Sequence, residues 1–107
     1  MSESVTDATF DDEVLAADGP VIVKFTAPWC RPCRHISPIL EAIAADNPAA
    51  RLVELDIDDN LGTPSRYGVL TIPTTIVFCG GEPRATVLGA QPRRRFDEAF
   101  GPFLGAS

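Results

Sequence analysis

Apolar residues recur along the chain with two spacings, one typical of strands and one typical of helices. Five stretches have the β-branched, aromatic or alternating character of strands. They are Val5-Thr6, Val21 to Ala27, Arg51 to Ile57, Thr74 to Phe78 and Arg84 to Leu88. The second is largely apolar, which suits a strand covered on both faces of a sheet. The last two are separated by Gly80-Gly81, which predicts a hairpin turn.

Helical spacing fills most of the segments between these strands. The first predicted helix carries Phe10, Val14 and Leu15, and a long helix after Cys33 ends near Asp46. A short helical or irregular segment then ends at Tyr67-Gly68, and a terminal helix extends from Gln91 to Leu104. Thr6 or Asp7 is predicted to cap the first helix. Pro38 is predicted to kink the long helix.

The order of these elements is βαβαβαββα, without a repeat, a low-complexity segment or a linker. This order predicts an α/β domain with helices on both faces of its sheet. With 107 residues, the chain has the length of one domain with one modest core. We therefore expect residues 1–107 to form a single domain.

Charge and composition narrow the partners and the location. The net charge of -6 argues against nucleic acid and anionic membrane surfaces as partners. The sequence has no apolar run long enough to span a bilayer. Its polar, acidic first residues do not resemble a secretory signal, so we expect a cytoplasmic protein. The chain has three cysteines, and an odd number cannot all be paired in disulfides. A secreted scaffold held together by disulfides is therefore a poor interpretation.

Two of these cysteines form the pair Cys30-Arg31-Pro32-Cys33, placed where a strand ends and a helix begins. Such a pair can form a structural disulfide, supply half of a metal site, or cycle between dithiol and disulfide. Zinc needs four ligands, and a second Cys pair or His pair is absent. Attached haem requires His directly after Cys33, where Arg34 stands. A thiolate is stabilised at a helix N-terminus, which favours redox chemistry with Cys30 as nucleophile and Cys33 as resolving thiol.

Beyond this pair, several separated motifs resemble the thioredoxin family. They are Phe25 to Cys33 as the active-site loop, Ser37 to Leu40 as the kinked helix, Asp56 to Asp58 as the end of the central strand, Thr71 to Thr74 as the cis-proline loop, and Gly80-Gly81 with Val87 to Ala90 as the final hairpin. The resemblance extends from about Val5 to Leu104, in order and at matching spacing.

The resemblance implies a thioredoxin fold, in which a five-stranded mixed sheet is flanked by four helices. It also implies a monomer that reduces disulfides in partner proteins, with a flavoprotein thioredoxin reductase as electron donor. The Cys30–Cys33 disulfide would be the redox group, without a separate cofactor or metal. Two rival functions are a disulfide oxidase or isomerase, which the unusual Arg31 would favour, and a binding adaptor without turnover.

The resemblance also predicts a substrate groove beside the cysteine pair. Pro73 would follow a cis peptide bond and place Ile72 opposite Cys30, where a substrate strand can pair with its backbone. The alternative is an ordinary trans-proline turn. The apolar rim of the groove would consist of Trp29, Ile72, Gly89 and Ala90, and Arg31 and Pro32 would border it.

Lys24 departs from the family pattern, which has a buried aspartate at this position and a lysine on the next strand. Here Lys24 lies in the apolar strand before Cys30, and Glu54 stands at the matching position of the next strand. We predict that Glu54 serves as the proton-transfer group for Cys33 and that Lys24 holds it. The alternative is that Lys24 reaches solvent and that Glu54 is a surface residue.

Three further features have simpler interpretations. Cys79 is predicted at the hairpin turn as an incidental thiol, and His35 as a solvated surface residue. Arg93-Arg94-Arg95 is interpreted as a solvated helix face in an acidic protein.

Overall fold

The computed structural model describes residues 3–105, and its centre is a five-stranded sheet in the order β1-β3-β2-β4-β5. The strands are β1 (Glu3–Ser4), β2 (Val21–Thr26), β3 (Arg51–Asp56), β4 (Thr74–Cys79) and β5 (Glu82–Leu88). β1, β3 and β2 run parallel, whereas β4 is antiparallel to β2 and β5 is antiparallel to β4. The sheet is therefore mixed, which confirms the predicted fold class.

Three helical segments connect these strands within the described part of the chain, and a fourth follows β5. They are a π-helical turn (Asp11–Leu15), α1 (Arg31–Asp46), α2 (Gly62–Arg66) and α3 (Arg93–Leu104). Pro38 and Pro102 both lie inside helices, α1 and α3 respectively. The last helix begins at Arg93, two residues later than predicted, because Pro92 has extended backbone at the cap position.

Apolar side chains cover both faces of the sheet, because successive residues of a strand point to opposite sides. One core includes Phe10, Val23, Phe25, Leu55 and Phe78 and lies under the π-helical turn. The other core packs α1 and α3 against the sheet through Ile22, Leu40, Val77, Phe96 and Phe100. Lys24 is two residues from Ile22 and therefore lies on the face that α1 covers.

Two predictions about the first thirty residues were wrong in detail. The edge strand is Glu3–Ser4 and not Val5-Thr6, although the Val5 N–H still donates to the Glu54 carbonyl at 2.8 Å. Phe10, the N-cap residue of the π-helical turn, makes no side-chain cap, but Thr6 Oγ1 accepts a hydrogen bond from the Thr9 N–H at 3.2 Å in the turn that leads into it. Asp7 instead caps α2, accepting hydrogen bonds from the N–H groups of Gly62 at 3.0 Å and Thr63 at 2.8 Å.

Candidate active site

Cys30 and Cys33 lie at the start of α1 and form a disulfide, with 5.3 Å between their Cα atoms. Cys30 is the N-cap residue, and its Sγ accepts a hydrogen bond from the Cys33 N–H at 3.2 Å. Pro32 occupies the first turn, where a missing N–H costs nothing. Both cysteines are buried. The helix N-terminus therefore directs an N–H group at the sulfur that would carry negative charge after reduction.

A cis peptide bond joins Ile72 to Pro73 next to this disulfide. Ile72 packs against the cluster formed by Ala27, Cys30 and Cys33. The Pro73 carbonyl accepts a hydrogen bond from the Gly89 N–H at 2.8 Å. Gly89 has a φ of 83°, a conformation that favours glycine. The cis-proline loop and the end of β5 are thus held together beside the cysteine pair.

Trp29 is an exposed aromatic side chain of this site, with 64% of its surface accessible. Its Nε1–H donates to Asp58 Oδ2 at 2.9 Å, and the Asp58 N–H donates in turn to Asp56 Oδ1 at 2.8 Å. Asp58 orients the indole beside Cys30, a role that the sequence prediction did not assign to it. The sequence feature that could have indicated this role is the position of Asp58 in the Asp56 to Asp58 motif.

A buried cation lies beneath the cysteine pair. Lys24 is 5% exposed, and its Nζ donates to Ser37 Oγ at 2.6 Å and lies 3.5 Å from Glu54 Oε1. Ser37 Oγ donates to the Cys33 carbonyl at 3.2 Å. Lys24 and Glu54 are direct partners in the β2–β3 pairing, as their strand positions suggested. Ser37 was not predicted, because a contact between a helix and a sheet cannot be derived from strand register.

The Lys24, Ser37 and Glu54 side chains line a surface cavity of about 320 Å³. Its lining includes Lys24, Cys33, Ser37, Glu54 and Asp56. An isolated buried ammonium would cost several kcal/mol, so the Ser37 hydrogen bond and the Glu54 ion pair offset the cost of burying Lys24. The cavity gives solvent access to the side of the disulfide where Cys33 lies.

The remaining predicted residues occupy the surface around the site. Arg31 is exposed and makes no ion pair with any residue from 3 to 105, and exposed Arg34 donates to the Pro28 carbonyl at 2.9 Å. His35 is exposed nearby, and these three basic residues line a shallow surface pocket. Ala90 follows Gly89 at the exposed rim. Cys79, by contrast, lies away from the site: it is a half-buried free thiol at the opposite end of β4 from the cis-proline loop.

Two further properties hold for residues 3–105. His, Cys, Asp and Glu side chains nowhere gather there in a group of three or more that could hold a metal ion. None of the helices there combines the length and the apolar character needed to cross a membrane.

Comparison with known proteins gives one consistent result. A protein-family model for thioredoxin matches residues 1–100. Thioredoxin from Streptomyces clavuligerus is 47% identical over 91 residues, which are 85% of each chain. Thioredoxin from Pseudomonas aeruginosa is 47% identical over 94 residues, covering 84% of this chain and 87% of the relative. Thioredoxin from the alga Porphyra purpurea is 41% identical over 101 residues, or 94% of each chain.

Proposed function

Since this chain belongs to the thioredoxin family, we propose that its protein-disulfide oxidoreductase activity runs through Cys30 as nucleophile and Cys33 as resolving thiol. The activity is the thioredoxin-type reduction of disulfides in proteins. The observation that supports this assignment of roles is the Cys33 N–H donated to Cys30 Sγ at the N-terminus of α1. It favours the thiolate at Cys30 over the thiolate at Cys33.

Reduction of a substrate then takes two exchange steps. The Cys30 thiolate attacks one sulfur of the substrate disulfide, forming a mixed disulfide and releasing the other substrate sulfur as a thiolate, which takes up a proton. The Cys33 thiolate then attacks Cys30 Sγ and releases the second substrate sulfur as a thiolate, which also takes up a proton. The substrate gains two electrons, and the protein is left with the Cys30–Cys33 disulfide. A dithiol reductant must reopen this disulfide before the next cycle.

The cis-proline loop supplies the binding surface in this proposal. A substrate strand pairs with the backbone of Ile72, and Trp29, Gly89 and Ala90 contact its side chains. Pro73, Pro32 and Arg31 border the same surface. The burial of both sulfurs supports such a mode, because a substrate must be held close to Cys30 before the sulfurs can react.

The Lys24 cavity supports a proton-transfer role for Glu54. The carboxylate of Glu54 lies 3.5 Å from the Lys24 ammonium and lines the same cavity as Cys33. We infer that Glu54 accepts the Cys33 proton when the mixed disulfide is resolved, with water in the cavity as the carrier. Lys24 is a positioning residue for Glu54, and Ser37 holds the ammonium on the side of Cys33.

The physiological setting completes the proposal. We propose that a flavoprotein thioredoxin reductase supplies the electrons, that no separate cofactor is needed, and that the protein acts as a monomer in the cytoplasm. Its net charge of -6 supports proteins, and not nucleic acid, as partners.

Substitution of the three cysteines tests the assignment of roles. Reduction of insulin disulfides by a dithiol reductant is measured for each variant. We expect Cys30→Ser to fall to the rate of the reductant alone, and Cys33→Ser to accumulate a mixed disulfide with the substrate. Cys79→Ser is the control and should retain the full rate. Undiminished turnover by Cys30→Ser would refute the mechanism.

A further inference from the structure

One buried hydroxyl in the sheet lacks a hydrogen-bond partner. Thr75 is 0% exposed, and within residues 3–105 its Oγ1 is the only buried side-chain nitrogen or oxygen without a partner. The other two buried threonines, Thr63 and Thr74, donate to Asp7 Oδ1 and to the Thr71 carbonyl. An unpaired buried hydroxyl costs free energy, because it has given up its hydrogen bonds to water. A partner in another state of the protein would recover that free energy.

Thr75 lies on the face of the sheet that α1 covers. It is two residues from Val77, which belongs to the core under α1 and α3, and alternate residues of a strand share a face. In the antiparallel pairing of β2 with β4, the Cα partner of Thr75 is Lys24. Such partners have Cβ atoms about 4.5 to 5.5 Å apart, so the Thr75 side chain is a direct neighbour of the Lys24 side chain.

The Lys24 side chain extends from this position toward Cys33. Its Nζ donates to Ser37 Oγ at 2.6 Å, and Ser37 Oγ donates to the Cys33 carbonyl at 3.2 Å. Cys33 is buried and lines the same cavity as Lys24. Thr75 on the sheet and Cys33 on α1 are therefore both neighbours of the Lys24 side chain.

Reduction changes the hydrogen-bonding capacity of the Cys33 sulfur. In the oxidised protein, this sulfur is bonded to Cys30 Sγ. A dithiol reductant supplies two electrons and breaks the bond, and each sulfur becomes a thiolate that can take up a proton. The Cys33 side chain is then free of the bond to Cys30. A thiolate is a strong hydrogen-bond acceptor, because it carries a full negative charge.

We propose that the Thr75 hydroxyl donates a hydrogen bond to Cys33 Sγ once the disulfide is reduced. The proposal rests on the proposed function, in which Cys33 is the resolving thiol. The hydroxyl is then unpaired in the disulfide form and paired in the dithiol form, so it shifts the equilibrium toward the dithiol. It also stabilises the Cys33 thiolate that attacks the mixed disulfide. Glu54 takes the proton from Cys33, and Thr75 holds the sulfur that has lost it.

Thr75→Val removes the hydroxyl and nearly preserves the shape of the side chain. Equilibration with reduced and oxidised glutathione measures the equilibrium constant for reduction of the disulfide. We expect Thr75→Val to lower this constant by about three- to tenfold, which corresponds to a reduction potential lower by about 15 to 30 mV. Thr75→Ala lacks the same hydroxyl and should shift the potential in the same direction.

Two matched variants separate the hydroxyl from packing. Thr75→Ser keeps the hydroxyl and loses a methyl group, and its equilibrium constant should stay within about twofold of the native value. Thr86→Val makes the same chemical change at an exposed position of β5 and should match the native protein.

Urea unfolding in each redox state supplies a second measurement. In the oxidised protein, Thr75→Val should be at least as stable as the native protein, because it removes an unpaired buried group. In the reduced protein, the same substitution should lower the stability, because a hydrogen bond to the Cys33 sulfur is lost. A side chain that only packs in the core would affect both redox states equally.

The possible failures are distinct. Equal potentials for the native protein and Thr75→Val would overturn the role of Thr75 and leave the exchange chemistry intact. A shift in Thr75→Ser as large as that in Thr75→Val would also overturn it, since packing would then be the cause. Equal changes of stability in the two redox states would do the same. If the native protein does not reach a dithiol–disulfide equilibrium with glutathione, the proposed function itself fails.

Discussion

At the scale of single residues, Lys24 and Glu54 show how a buried charge can be retained with its sign exchanged. The register of β2 and β3 makes them direct neighbours, and Lys24 is anchored from the helix side by Ser37. The strand pairing was predictable from the sequence, because both strands are marked by their apolar patterns. The Ser37 contact was not, since it depends on how α1 lies across the sheet.

Glu54→Gln removes the carboxylate and nearly preserves its shape. We expect the rate of insulin reduction to fall by about tenfold or more at neutral pH, because general-base assistance to Cys33 is lost. The pH dependence of the rate should change as well. Glu41→Gln, on the exposed side of α1, is the control and should match the native protein. If the rate and the pH profile of Glu54→Gln are native, Glu54 has no role in proton transfer.

Arg31, which has no ion-pair partner among residues 3–105, adds a positive charge next to Cys30. A cation stabilises the Cys30 thiolate and therefore the reduced form of the pair. We expect Arg31→Gly to have a reduction potential lower by about 10 to 20 mV, which corresponds to roughly 0.5 to 1 kcal/mol for an exposed charge. Equilibration with glutathione measures the potential. An equal or higher potential in the variant would contradict this role, and would also remove the main support for an oxidase or isomerase.

At the scale of elements, the N-terminal segment is held to α2 by one carboxylate. Asp7 accepts from the Thr63 hydroxyl at 2.6 Å and from two N–H groups at the start of α2, and the Asp7 N–H donates to Asn60 at 2.8 Å. The sequence offered Thr6 or Asp7 as the cap of the first helix, and of these two it is Asp7 that caps α2 instead. Capping motifs are read from neighbouring residues, and this cap joins residues that are 55 or more apart in sequence.

This cap makes part of the stability dependent on pH. The Thr63 hydroxyl above all, with the N–H groups of Thr63 and Gly62, holds the pKa of Asp7 below its ordinary value of 3.8. A carboxylate with a lowered pKa stabilises the fold above its ordinary pKa, and the stabilisation disappears as pH falls through the lowered value.

Asp7→Ala should therefore lower the free energy of unfolding at pH 7 by about 0.5 to 1 kcal/mol, the low end for a helix cap because the site is exposed. The difference from the native protein should shrink as pH falls below about 4. Urea unfolding at several pH values measures it. Asp59→Ala changes an exposed aspartate outside this network and is the control. A difference that is constant between pH 7 and pH 3 would show that the carboxylate charge is not the cause.

The bounds of most elements were predictable to within one or two residues, since they depend on local patterns. The long helix ends at Asp46 as expected, and β4 and β5 enclose the turn at Gly80-Gly81. The π-helical form of Asp11–Leu15 was not predictable, because its apolar residues have ordinary helical spacing. At the site, the cysteine pair and the cis-proline loop were identified from motifs, whereas Asp58 and Ser37 required the three-dimensional contacts.

At the scale of the whole molecule, both cores are built on the same sheet. β2, the central strand, and its neighbour β4 contribute to each face, as Val23 and Phe78 do on one side and Ile22 and Val77 on the other. A loss of packing on either face therefore weakens the strands on which the other face depends. We propose that residues 1–107 form a single cooperative domain.

Truncation of one buried ring on each face tests this cooperativity. Phe78→Ala and Phe96→Ala should each lower the free energy of unfolding by about 3 to 5 kcal/mol. In both variants, the thermal transitions in near-ultraviolet and far-ultraviolet circular dichroism should coincide and shift together. Phe103→Ala, at a half-buried ring, is the control and should cost less. Two separate transitions in either variant would contradict a single domain.

Trp29 is the only tryptophan of the chain, and Asp58 fixes its ring at the position next to Cys30 of the disulfide. A disulfide quenches the emission of an excited indole at short range, so we expect the fluorescence of this ring to change when the disulfide is reduced. The protein thus contains an intrinsic fluorescence probe of its redox state. Stopped-flow fluorescence can follow each half of the catalytic cycle without a dye, a label or a coupled reaction.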